Sequence, residues 1–211
     1  GTMTLVSVGP EGLVGNGDSS HPAISVDGRF VLFQSRATNL DAAFPALPGP
    51  GATQIYLHDR TTGSTVLVSR GPDGRPGDDD SSAPAISGDG RYLAYASRAT
   101  NLVAGDSNQV ADIFLHDREL GETRRVSVSS AGIQANRAAW SPQITLDGRY
   151  LLFGAEASNL VNGDGNNAAD LFVYDQQARH TSRVSVAVRD AWTGQEGNGA
   201  SRGPAAIIPG G

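Results

Sequence analysis

The sequence has no cysteine and no lysine, only one methionine, and no long apolar run. Without cysteine, the chain cannot form disulfides, thiolate metal sites or a cysteine nucleophile. A membrane-spanning helix needs a run of about 18 or more apolar residues, and the sequence contains none. These absences exclude several classes of protein before any motif is considered.

The charge balance argues against a nucleic-acid partner. The formal net charge is −6, and all 16 basic residues are arginine. Nucleic-acid-binding proteins neutralise phosphates with clustered basic residues, so no such partner is expected. Glycine (27) and proline (11) are plentiful. Because both residues punctuate short strands and turns, the composition favours an all-β domain.

A unit of about 58 residues occurs three times in tandem. The closing Val-Ser pairs at 68, 126 and 184 are 58 residues apart, whereas the Asp-Gly-Arg motifs are 62 and then 58 residues apart. The extra four residues fall between Asn39 and Asp59, in an insertion of the first copy. Because several landmarks keep one spacing and the length difference is confined to one loop, the repeat is not a chance similarity.

Each unit carries the same strand and turn signals in the same order. Copies of Pro-x-Ile-Ser/Thr-x-Asp-Gly-Arg begin at Pro22, Pro84 and Pro142, and an aromatic-led apolar stretch follows each. Asp-Gly accepts the positive φ of a hairpin turn, so strands should flank it. The first strand is predicted to start at its proline, and the second strand to be buried on both faces. An apolar stretch ending in Asp predicts the third strand, and a more polar stretch the fourth, over 123–128 in the second unit.

Four antiparallel strands per unit, repeated in tandem, predict the blades of a β-propeller. No 3.6-residue periodicity is sustained, which excludes a helical solenoid, and a two-sheet sandwich remains the structural alternative. The opening Leu5-Val6-Ser7-Val8 matches the last strand of a blade, and 204–208 match a first strand. The expectation is one all-β domain of three complete blades with one extra strand at each end. Its expected limits are a tag remnant at 1–3, the propeller or half-propeller at 4–208 with repeats of about 22–69, 84–127 and 142–185, and a tail at 209–211.

The Pro-x-Ile-Ser-x-Asp-Gly-Arg-Tyr core resembles the TolB-type β-propeller repeat family over nearly the whole chain. A closer resemblance is to a subgroup with Asn-Leu-Val-x-Gly-Asp-x-Asn loops, which stand here at 101–108 and 159–166. The first unit departs from that pattern, because 41–53 lack Gly-Asp-x-Asn. The resemblance implies a propeller, commonly six-bladed, in a periplasmic or secreted bacterial protein. It also implies scaffolding of proteins or ligands without conserved chemistry.

The strongest site candidates are two Asp-x-Asn-x-x-x-Asp loops. Alternating oxygen ligands on a glycine-containing loop suit a hard cation such as Ca²⁺. The alternative is a loop whose Asp and Asn side chains accept hydrogen bonds from backbone amides. The candidate ligands are Asp106, Asn108 and Asp112 in the second unit and Asp164, Asn166 and Asp170 in the third.

Other candidate residues carry weaker signals. Trp140 and Trp192 are expected in connections before first strands, where they would contact a partner or glycan, or cap the core. His58 and His116 occupy one blade position that Tyr174 takes in the third unit, which indicates a packing role. No Gly-x-Ser-x-Gly elbow and no phosphate-binding loop is present, so no catalytic or cofactor-binding residue is predicted.

The repeat number bears directly on function. Propellers have at least four blades, so three blades do not close a ring. Either the chain is a piece of a longer protein, or two copies pair as half-rings with two-fold symmetry. The preferred interpretation is a non-enzymatic, self-associating scaffold, a homodimer that binds a protein partner and needs no cofactor. The alternatives are a lectin-like glycan-binding propeller and a fragment of a larger secreted propeller enzyme.

Overall fold

The computed structural model describes residues 3–44 and 51–185, which form three separate four-stranded antiparallel sheets. Each sheet is one copy of the repeat, with its strands in chain order, so the predicted blades are confirmed. The strands are β1 (Ser19–Ile24), β2 (Phe30–Ser35), β3 (Gln54–Asp59) and β4 (Ser64–Leu67) in blade I, β5 (Ser81–Ile86), β6 (Tyr92–Ser97), β7 (Asp112–Asp117) and β8 (Glu122–Arg125) in blade II, and β9 (Ala139–Ile144), β10 (Tyr150–Ala155), β11 (Asp170–Asp175) and β12 (His180–Arg183) in blade III.

Helical structure in the described ranges is limited to a single 3-10 turn at Pro10–Gly12. In those ranges, no helix is long and apolar enough to cross a membrane.

The prediction that each first strand starts at its proline is wrong. β1, β5 and β9 start earlier, and each proline lies inside its strand at a shift of register. The residue before each proline has positive φ, 52° at His21, 53° at Ala83 and 51° at Ser141. Each first strand has a neighbour on one side only. Proline is tolerated there because an edge strand at a bulge does not need its missing N–H for the ladder.

The fourth strands are shorter than predicted. β8 ends at Arg125, and the N–H of Val126 makes one more bond, to the Ile113 carbonyl at 2.8 Å. The expected N-terminal strand is not formed: within residues 3–44, Val8 makes only an isolated bridge to Val14. The described ranges contain no preceding third strand with which it could pair. The expected strand at 204–208 lies outside the described residues.

The hydrophobic core lies between neighbouring blades. Leu32 and Leu57 of blade I pack with Leu93 and Tyr95 of blade II in one cluster. A second cluster joins β6 and β7 of blade II to β10 and β11 of blade III. The second strands are buried on both faces, which confirms the interpretation of their unbroken apolar stretches.

Backbone hydrogen bonds join the turns between first and second strands from blade to blade. The N–H of Val26 donates to the Gly88 carbonyl at 2.9 Å, and the N–H of Gly88 donates to the Leu146 carbonyl at 2.8 Å. The three first strands line a cavity of about 470 Å³ at this inner edge. The blades are therefore arranged around one side of a common axis, with the first strands innermost.

The recurring Asn-Leu motif fastens each connection to the blade that follows it. Asn39, Asn101 and Asn159 each accept a backbone N–H from that connection and donate their side-chain amide to one of its carbonyls. These bonds span 23 or 25 residues of sequence in the same way in all three blades. The motif is thus explained by the fold.

Candidate functional sites

The acidic loop of blade II surrounds an arginine of the same blade. Arg125, the last residue of β8, lies 3.0 Å from Asp106 and 3.4 Å from Asp112, measured between guanidinium nitrogen and carboxylate oxygen. Asp112 also accepts bonds from Ser127 at 2.5 Å and from Asn108 at 2.8 Å. A guanidinium thus provides the positive charge that a bound cation would otherwise supply to these carboxylates.

The loop of blade III repeats this arrangement. Arg183, at the end of β12, lies 2.8 Å from Asp164 and 3.5 Å from Asp170. Asp170 accepts from Ser185 at 2.6 Å and from Asn166 at 3.1 Å. Both loops therefore bring together all three sequence-predicted ligands and add an arginine that the sequence interpretation did not include.

The acidic loops are largely removed from water. The Asp112 side chain is fully buried, and the side chains of Asp106 and Arg125 are 4% and 11% exposed. Burial raises the pKa of both Asp106 and Asp112, and the neighbouring arginine acts in the opposite direction. Buried carboxylates need a compensating charge, so the arginine is a structural requirement of the loop.

Blade I shows what replaces this arrangement where the acidic loop is absent. Leu67 takes the place of the arginine, and Gln54 takes the place of the buried aspartate. Gln54 accepts from Ser69 at 2.5 Å and donates to the Gly77 carbonyl at 2.9 Å. The acids and the arginine are thus present together in two blades and absent together in the third. A comparison of the three copies by position is the signal in the sequence that could have identified the arginine.

The calcium interpretation of these loops stays a prediction. In residues 3–44 and 51–185, no group of three or more His, Cys, Asp or Glu side chains could hold a metal ion. Each loop offers two carboxylates and one amide, and the arginine contacts both carboxylates. The geometry favours a salt-bridged loop over a cation site.

The Asp-Gly-Arg motif is also structural. Arg29 makes a two-point contact with Asp59 at 3.0 and 2.7 Å, and the pairs Arg91–Asp117 and Arg149–Asp175 repeat it. Each arginine also covers the aromatic residue that follows it, at 4.6 to 4.8 Å from the ring centroid. This pairing of the arginine with the strand-ending aspartate is present in every blade.

These pairs predict a loss of stability in acid. Hydrogen bonds from Arg29 and Arg149 lower the pKa of Asp59 and of Asp175 from 3.8 to about 2. A carboxylate with a depressed folded-state pKa stabilises the fold above its unfolded pKa and loses that contribution as the pH falls through the folded value. The urea midpoint should therefore fall between about pH 4 and pH 2. Arg29→Met should flatten that decline, and an unchanged acid profile in this variant would contradict the assignment.

The prediction that Trp140 lies in a connection is wrong. Trp140 lies within β9, where it is half-buried and paired with Gly154 of β10. A Cβ added to Gly154 would lie 2.6 Å from the indole nitrogen, so the glycine makes room for the ring. Trp140 is therefore placed by packing on its own blade. Trp192, the other candidate contact, lies outside the described residues.

Gly154→Ala should displace the Trp140 ring. The emission of Trp140 should shift to the red as the ring becomes solvated, with a loss of about 1–3 kcal/mol in the free energy of unfolding from overpacking. The measurement is fluorescence in a Trp192→Phe background, which leaves one tryptophan. Ala96→Gly at the equivalent position of blade II is the matched control, and an unshifted Gly154→Ala spectrum would exclude this packing.

The two histidines of the third strands are packing residues. The ring nitrogen Nδ1 of His58 lies 3.0 Å from Thr65, and that of His116 lies 3.0 Å from Thr123. Both rings are buried, and burial lowers the pKa of His116 to about 4. The packing interpretation is confirmed by these contacts.

One face of blade III is incompletely covered. In β3 and β7 the residues on both faces are buried, but in β11 Leu171 and Val173 are half-buried. Their equivalents in blade II, Ile113 and Leu115, belong to the core shared with blade III. Leu171 and Val173 therefore lie on the face where a following blade would pack.

Comparison with solved structures agrees with this architecture. A prolyl endopeptidase structure is similar at a TM-score of 0.50 and 14% identity, over 82% of this chain and 22% of that one. TolB from Acinetobacter baumannii is similar at 0.49 and 18%, over 82% and 33%. The β-propeller domain of the trilobed protease from Pyrococcus furiosus is similar at 0.49 and 15%, over 79% and 41%. The chain thus spans between about a fifth and two fifths of these structures. No family model matches the sequence, and no curated protein matches it.

The tandem four-stranded sheets around one axis define the chain as part of a β-propeller. This is the fold that the TolB resemblance implies, and the similar solved structures include two TolB proteins.

Proposed function

We propose that the chain is a non-enzymatic β-propeller scaffold that completes its ring by pairing with a second copy and presents the completed propeller to a protein partner. Fold alone does not fix function. The proposal is supported chiefly by one observation, the half-buried Leu171 and Val173 on a face that is closed in the other two blades. Following the TolB resemblance, we place the protein in the periplasm or outside the cell.

The polar groups support binding over catalysis. A serine–histidine contact exists, with Ser130 Oγ at 2.8 Å from His180 Nδ1. The same hydroxyl accepts the Thr181 N–H at 3.0 Å, and no carboxylate in the described ranges bonds to His180. The acidic loops are likewise engaged by their own arginines. Most ionisable groups that the structure brings together thus already have a structural partner.

A charge on the open face should abolish the pairing. Val173→Glu places a carboxylate where a second copy would bury it, so the dimer should dissociate by at least a hundredfold in Kd, in line with the cost of burying an unpaired charge. The measurement is sedimentation velocity over a range of concentrations. Val66→Glu is the matched control, because Val66 is an exposed valine on the fourth strand of blade I.

The outcomes of this experiment separate cleanly. A dimer that Val173→Glu disrupts and Val66→Glu preserves supports the proposal. A dimer that survives Val173→Glu, with an unchanged thermal midpoint, places the contact elsewhere. A wild-type chain that stays monomeric at every concentration contradicts self-association.

A further inference from the structure

The interface of blades I and II and the interface of blades II and III use the same two contacts near the common axis. The first is a backbone hydrogen bond, from the turn of one blade to the turn of the next: Val26 to Gly88, and Gly88 to Leu146. It runs in one direction, with the earlier blade donating its N–H and the later blade accepting through its carbonyl. Two successive interfaces with the same polarity make this a rule of the repeat.

The second contact sets an aromatic ring on a glycine. Phe30 lies against Gly90, and Tyr92 lies against Gly148, so closely that a Cβ on either glycine would overlap the ring. Both glycines have positive φ, at 72° and 75°. At the first interface, Arg118 of the later blade also covers Phe30, at 3.9 Å from the ring centroid.

The first and the last blade carry complementary halves of these contacts. At the end of blade III, the N–H of Leu146 donates no backbone bond within the described ranges, and Tyr150 has only Arg149 over its ring. At the start of blade I, the Val26 carbonyl accepts no bond within the described ranges, and Gly28 has φ of 71° with no ring at its Cβ position, where Arg60 Nη1 lies at 3.5 Å. Arg60 stands where Arg118 stands in blade II and binds the Gly28 carbonyl at 2.7 Å.

We propose that blade III of one copy docks on blade I of a second copy in the register of the internal interfaces. Leu146 N–H donates to the second copy's Val26 carbonyl, Tyr150 packs on its Gly28, and its Arg60 covers the Tyr150 ring. This rests on the self-association proposed above and specifies its geometry. A two-fold axis makes the contact twice, so both ends of each arc are used and no end stays open.

The second copy fits this place better than an unrelated partner would. Its blade I offers an acceptor, an uncovered glycine and a cation in the spacing that the internal interfaces use.

The absence of cysteine makes cross-linking a clean test. A Cβ built on Gly88 lies 3.2 Å from the Leu146 Cβ, close to the separation of about 3.5–4.5 Å that a disulfide spans. Positions 146 and 26 of two copies would be related in the same way. Full-length Leu146→Cys and Val26→Cys chains, purified separately and mixed under mild oxidation, should give a disulfide-linked species of twice 21.8 kDa. Leu120→Cys mixed with Val26→Cys is the control, since Leu120 is exposed in the middle blade.

A second variant tests the contribution of the Arg60 guanidinium without disturbing the fold. Blade III carries Gln176 at the position of Arg60, and its amide binds the Gly148 carbonyl. Arg60→Gln should therefore keep the bond to Gly28 and lose only the contact with Tyr150, which weakens the dimer about two- to fivefold. Arg118→Gln, which loses the internal contact instead, should leave the dimer Kd unchanged.

The outcomes distinguish the register from the pairing itself. Cross-linking of 146 with 26 above the control, together with a weaker dimer for Arg60→Gln, supports the register. A dimer that forms without this cross-link overturns the register but leaves self-association standing. A monomer at all concentrations overturns both.

Discussion

Replacing Arg125 by leucine is expected to lower the free energy of unfolding by about 3–5 kcal/mol, because the change leaves buried carboxylates without their counter-charge. Asp112 is fully buried, and Asp106 is nearly so. Burial already raises the pKa of both groups, so they are poorly placed to stay ionised without the guanidinium. Urea unfolding at neutral pH measures the effect.

The residues at the equivalent positions of blade I indicate how the stability of this variant can be restored. Leucine is compatible with this position where the buried acid is replaced by glutamine, as at Leu67 and Gln54. Adding Asp112→Gln and Asp106→Asn to Arg125→Leu should therefore recover most of the lost stability. A calcium titration gives the result that would contradict this account of the loop. If Ca²⁺ raises the stability of the wild-type chain, a chelator lowers it, and Arg125→Leu costs little, the cation site is favoured over the salt-bridged loop.

Gly90→Ala should cost about 2–4 kcal/mol, because it combines two effects. The residue has φ of 72°, a backbone conformation that costs a residue with a Cβ about 1–2 kcal/mol. The added Cβ would also overlap the Phe30 ring across the interface of blades I and II. Because the ring lies in the packed core between blades, it has little freedom to move away.

Gly28→Ala is the matched control, since Gly28 has φ of 71° but nothing closer than Arg60 Nη1 at 3.5 Å from the new Cβ. It should lose only the backbone contribution when chemical unfolding is measured on the dissociated chain. The difference between the two variants measures the inter-blade contact. Equal losses would show that Phe30 yields and that the aromatic–glycine contact adds little.

Most of the fold could be predicted from repetition. Landmarks such as Asp59, Asp117 and Asp175 keep one spacing, and each ends the third strand of its blade. The turn at Asp-Gly follows from its tolerance of positive φ, and Gly28, Gly90 and Gly148 all have it. Local chemistry repeated three times therefore sufficed to define strands, turns and blades.

The errors came from contacts that local sequence does not carry. The bulge in each first strand places positive φ on His21, Ala83 and Ser141, three residue types that do not signal it. The sequence predicts a connection at Trp140, because the partner that places it in a strand, Gly154, lies on another strand. Arg125 follows Asp112 by 13 residues, and the local sequence predicts only that it belongs to a polar fourth strand. Each of these features depends on pairing across strands, which one unit by itself does not reveal.

Completion of the ring by a second copy is tested most directly by the mass of the folded chain in solution. Light scattering coupled to size exclusion, at micromolar concentration and neutral pH, should give twice the 21.8 kDa of one chain. A cooperative folded species that keeps the mass of one chain at every concentration would contradict it.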